Sequence, residues 1–179
     1  MSLDYLRRFT CDNKATTTAL VALWLPVLTL LLAALVDVGL VMVHKERLTN
    51  AAEFGAQAGG VAIGDIVIEK AEAHNPPDDA TDPLLYLTDE DRAAIMNDSR
   101  VRAAVDSIIS KNLDVSDPLL HVTVVYPNNT IDCTNGVRSV ELKVIMEKHF
   151  PVIFPTFVWG EEGAPLTGVA VQMVPLCPS

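Results

Sequence analysis

The chain has 179 residues, half of them hydrophobic, and a formal net charge of −10. Thirteen Lys and Arg against 23 Asp and Glu exclude the basic face that a nucleic-acid binder needs, and the apolar content excludes global disorder. A positive mean hydropathy of +0.30 conflicts with so much acid unless the two properties occupy different stretches, and they do. Residues 1–43 hold three basic and three acidic residues, whereas residues 44–179 hold ten basic and twenty acidic ones.

From Ala19 to Val36 the only polar side chain is Thr29, and after Asp37 the apolar run resumes to Val43. Ala19–Val43 as a helix is about 37 Å long, more than the roughly 30 Å hydrocarbon core of a bilayer. The run is too long for the roughly 7–15-residue apolar region of a signal peptide. Residues 15–43 therefore read as a transmembrane helix, with residues 1–14 as a short head. Arg7, Arg8 and Lys14 favour a cytoplasmic N-terminus and an extracytoplasmic remainder. Pro26 lies inside the span, where a kink and not a break is expected. Asp37 is the costly residue, because Ala33, Ala34, Leu40 and Val41, its helical neighbours, cannot pair with it. Two readings fit: a position near the outer interface, partly hydrated, or a contact with a positive group on a partner subunit.

The helical pattern continues through residues 44–73, with Leu48, Ala51, Ala52, Gly55, Ala58, Gly59 and Ala62 at three- and four-residue spacing. These small residues let a second backbone approach closely. Ala51, Ala52, Gly55, Ala58, Gly59 and Ala62 are read as a helix-packing interface on an extracytoplasmic stalk. Its occupant is either other subunits, including copies of this chain, or the protein's own domain. His74-Asn75-Pro76-Pro77 should end the helix.

Residues 74–179 then read as a small α+β domain. Thr88 and Asp91 are spaced as a capping box, so a helix should start at Asp89 and run to about Asn112, with an irregularity at Asn97-Asp98-Ser99. His121–Tyr126, Val137–His149 and Thr167–Val174 read as strands of a three-stranded antiparallel sheet with the helix packed on it. The expected core draws on Ile95, Val105, Ile109, Val122, Val124, Leu142, Val144, Val169 and Val171. Between the last two strands, Phe150–Trp159 is apolar but carries Pro151 and Pro155, so it cannot be a central strand. Cys133 and Cys177 lie in this exported part and can pair as a disulfide, with two free thiols as the alternative. No catalytic motif appears, and the histidines at 44, 74, 121 and 149 are scattered. No enzymatic activity, cofactor or metal is expected. Asn97-Asp98-Ser99 and Asn128-Asn129-Thr130 match the glycosylation pattern but read as turns or caps.

Residues 13–62 resemble the N-terminal segment of TadE/TadG-like proteins of the tight-adherence (Flp) pilus system. The resemblance rests on Leu25-Pro26-Val27-Leu28, Asp37-Val38-Gly39 and Arg47-Leu48-Thr49-Asn50-Ala51-Ala52. It implies a pilin-like, membrane-anchored minor pilin or pilus-assembly component, working through helix packing with other pilin-like subunits and through an exported domain. No Gly precedes Gly39, and Ala19 stands where cleaved prepilins often carry Glu, so the anchored TadG-like members are the nearer comparison. A membrane-tethered binding module unrelated to pili is the alternative.

Overall fold

The computed structural model describes residues 13–74, 82–151 and 163–178, with side chains from Thr17 onward. The expected head 1–14, residues 75–81 and the apolar Pro-containing stretch before the last strand fall wholly or largely outside the described residues. Helix α1 (Asn13–Ala73) is a single 61-residue helix that runs unbroken through Pro26. At ~1.5 Å per residue it is about 90 Å long. It is long and apolar enough to cross a membrane, and the most apolar stretch is not buried by the rest of the chain.

After α1 comes a 3-10 turn (Pro83–Tyr86), started by Asp82, whose Oδ1 accepts from the Leu84 N–H at 3.0 Å. Helix α2 (Asp89–Met96) begins with the expected capping box: the Thr88 N–H donates to Asp91 Oδ2 and the Asp91 N–H donates to Thr88 Oγ1. The expected irregularity is a full break. Asn97 closes α2 and Asp98 opens α3 (Ser99–Asn112), its carboxylate accepting from the Arg100 N–H at 2.8 Å. An acid that can bond the backbone ahead of it competes with continuation of the helix and favours a cap.

Strands β1 (Leu120–Val125), β2 (Ser139–Phe150) and β3 (Ala164–Pro175) form one antiparallel sheet in the order β1-β2-β3. Val124 sits opposite Val144, and Val144 opposite Ala170. The α+β architecture, one long helix followed by further helix and a three-stranded antiparallel sheet, is as the sequence predicts. One core assignment is corrected. Val169 and Val171 face away from the helices and are 45% and 47% exposed, while Ala164, Leu166 and Ala170 point inward. The cause is the closeness of α1. A Cβ on Gly168 would lie 2.8 Å from the Leu48 carbonyl carbon and oxygen, so β3 turns its small residues to the helix and its branched ones outward.

The core lies between α1, α3 and the inner face of the sheet. Ile63, Ile66, Ile95, Val101, Val105, Ile109, Val140, Leu142, Val144 and Met146 are all essentially inaccessible. Arg92 Nε donates to the Leu176 carbonyl at 3.0 Å, and the Tyr126 hydroxyl donates to the Ile95 carbonyl at 2.9 Å, tying α2 to the residues that follow both edge strands of the sheet. Cys133 and Cys177 are bonded across a separation of 44 residues, Cα to Cα 5.6 Å.

Candidate functional site

The candidate functional element is α1, and the domain covers one of its faces. Leu48, Ala51, Ala52, Gly55, Ala56, Gly59, Ile63, Ile66, Val67 and Ala71 are buried. A Cβ on Gly55 would meet Ile109 and Val105 at 3.2–3.3 Å; one on Gly59 would collide with Leu142 and come within 2.9 Å of Val105. The small residues let α3 and the sheet reach the helix backbone, as small-residue stripes do. Residues 44–73, read from the sequence as an extracytoplasmic stalk, thus pack along this stripe against the domain. Of the two occupants considered for the stripe, the chain's own domain fills it at Ala51, Ala52, Gly55 and Gly59. Ala58 and Ala62 lie at its margin, half-buried.

The opposite face carries a second pattern that three- and four-residue spacing did not reveal. Phe54, Val61 and Ile68 recur at intervals of seven and are 52%, 65% and 50% exposed. Seven residues are nearly two helical turns, so the three lie in one line. Asp65 and Glu72 continue that line, and Glu53 and Glu69 flank it; all are exposed. Gly64, beside the line, has nothing within 4 Å of where its Cβ would be, and neither does Gly39 lower on the helix. Toward the N-terminus the apolar surface broadens: Leu20, Leu23, Trp24, Leu28, Leu32 and Leu35 are all exposed.

Asp37 stands apart within that apolar surface. It is only 5% exposed and takes part in a polar interaction, so it is not a bare charge facing lipid. Electrostatics elsewhere follow local bonding. Hydrogen bonds from the Thr88 side chain and backbone, with one from His74, hold Asp91 at a pKa of about 2. The Arg100 side chain, bonded to both Asp98 and Glu69, pulls the Asp98 carboxyl below its usual range and ties the start of α3 to α1. Among the described residues no three His, Cys, Asp or Glu side chains cluster to hold a metal.

Residues 15–73 match the family model described as putative Flp pilus-assembly TadE/G-like. This stretch of the chain is similar to that family. The matched segment is α1 almost end to end, about a third of the sequence, and it includes both the exposed apolar half and the half that anchors the domain. No curated protein and no solved structure matches the chain.

Proposed function

We propose that this protein is a membrane-anchored minor pilin or assembly component of an Flp-type pilus or related secretion machine, with its N-terminus in the cytoplasm and its α+β domain outside. It acts by packing and not by chemistry, and it requires no cofactor. One observation carries the reading: the outward face of α1 bears Phe54, Val61 and Ile68 in line with the exposed apolar half of the same helix. A neighbouring pilin-like helix, anchored in the same membrane, can follow that line from the bilayer past the domain, and Gly64 admits close approach. The buried stripe cannot serve this purpose without unfolding the domain.

The test is a pair of substitutions, Val61→Asp and Ile68→Asp. Both sites are exposed, so domain stability should change by no more than about 0.5 kcal/mol. Pilus assembly should be lost in the double variant, whereas a Val61→Cys variant should form disulfide cross-links to cysteines placed on neighbouring subunits. Normal assembly with both aspartates in place would defeat the proposal. The alternative, a membrane-tethered binding module, draws on the exposed Val169, Val171 and Met173 of the outer sheet face. It predicts that α1 residues 17–43 can be exchanged for an unrelated membrane helix without loss of function.

A further inference from the structure

A cavity of about 450 Å³ opens where the apolar run of α1 meets the domain. His44, Arg47, Asn50 and Phe54 line it from α1, Lys148 from β2, and Leu113 and Asp114 from the segment after α3. Its size lies within the roughly 300–1,000 Å³ of small-molecule sites. The lining concentrates basic side chains in a domain that is otherwise strongly acidic. Burial, and then the nearby charges of Arg47 and Lys148, hold the His44 pKa below its usual value, and its ring packs against Phe150 at 4.2 Å between centroids. Arg47 is exposed and makes no ion pair among the described residues. Lys148 pairs with Asp117 at 2.6 Å, which leaves the other N–H donors of its ammonium group. The acid in the lining, Asp114, directs Oδ1 to the Ser116 N–H and hydroxyl at 3.0 and 2.6 Å.

Position identifies the ligand. A bilayer core of about 30 Å centred on Ala19–Val43 ends near Val41, so His44 lies about 5 Å and Arg47 about 9 Å beyond it. The headgroup layer extends roughly 5–8 Å past the core, and a long basic side chain can reach into it from just above. We propose that this cavity holds the phosphodiester of an anionic lipid headgroup, with Arg47 and Lys148 as charged donors and Asn50 as a neutral one. With Lys148 matched by Asp117 and Asp114 Oδ1 turned to Ser116, Arg47 is the one cation of the lining without a paired acid among the described residues, which suits a singly charged phosphodiester better than a free phosphate dianion. The site rests on the membrane reading of α1, and it adds a preference among lipids to the anchor.

The test uses the full chain in nanodiscs of phosphatidylcholine with and without phosphatidylglycerol. Lipid retained on gentle detergent release is counted by native mass spectrometry. Phosphatidylglycerol should be retained over phosphatidylcholine, and Arg47→Gln with Lys148→Gln should weaken that retention roughly tenfold or more, the loss expected for charge-assisted hydrogen bonds. Arg102→Gln on the exposed side of α3 removes the same charge and should leave retention unchanged. Arg47→Gln alone, at an exposed site outside the core, keeps the test informative if the double variant does not fold, and should itself reduce retention. Equal retention of the two lipids, or an undiminished preference in Arg47→Gln, overturns the proposal. Saturable displacement of the lipid by inorganic phosphate at equal concentration would overturn it in favour of a soluble anion. Flotation with neutral vesicles reads membrane anchoring separately, so failure of the anchor is distinguishable from failure of the site.

Discussion

Gly59 and Gly64 are about 1.4 turns apart on α1, yet an added methyl group should act in opposite directions at the two. At Gly64 the methyl enters open space. Alanine there gains the helix-propensity difference alone, about 0.8–1 kcal/mol of stability. At Gly59 the same gain is set against a collision with Leu142 and a 2.9 Å approach to Val105, both fully buried. Overpacking of a closed core costs typically 1–3 kcal/mol. The net for Gly59→Ala is a destabilisation of up to about 2 kcal/mol, and Gly59→Leu should be far worse. For a domain of this size that is a fall in Tm on the order of 4–8 °C for Gly59→Ala, and a rise of about 2–4 °C for Gly64→Ala. The assay is thermal unfolding of the full chain in detergent, followed by near-ultraviolet circular dichroism. Two variants equally stable, or Gly59→Ala the more stable, would refute the packing of the domain on α1. The small-residue stripe would then be free for other subunits.

Reducing the Cys133–Cys177 bond, or replacing both residues with serine, should destabilise the domain by about 3–4 kcal/mol, the loop-closure value for a separation of 44 residues, and Tm with and without reductant measures it. Gly168→Ala should cost at least about 1–3 kcal/mol, because its methyl meets backbone of Leu48 and Thr49 that cannot rotate away; urea unfolding reads this. Asp91, held at about 2, binds its proton more weakly folded than unfolded, so its contribution is complete above pH about 4 and is lost as pH falls toward 2. Thr88→Ala should remove about 1 kcal/mol at neutral pH and flatten that acid dependence, as Tm against pH will show; an unchanged acid limb would argue against the capping box as its source.

Features set by local chemistry were legible in the sequence. Thr88 and Asp91 announce a helix start because the box needs only those two side chains and their own backbone. The strands announce themselves through alternation and branched residues, and β1, β2 and β3 all lie where the pattern puts them. What pattern could not supply was the identity of the surface each face meets. Val169 and Val171 are excellent strand residues, yet they face outward, because the inward position at Gly168 is set by the helix backbone across from it. A stripe of alanine and glycine states that something approaches closely, without stating whether that something is a neighbour or the chain's own Leu142. The Phe54–Val61–Ile68 line was readable as a seven-residue repeat, but it was hidden beside the denser small-residue stripe. The basic cavity was not readable, since Lys148 lies about a hundred residues from Arg47 and only the fold brings them together.

The long helix has no joint between the part exposed as an apolar rod and the part that forms the domain's central wall. A load applied along that rod, as when a subunit is drawn out of a bilayer, therefore enters the core directly at Leu48 and Ala52, with no slack to take up first. The closely fitted contacts at Gly59 and Gly168 would be sheared together and not peeled one by one. The same continuity fixes the domain's heading: a tilt of the rod swings the sheet through an equal angle, so the posture of the anchor becomes the posture of the head.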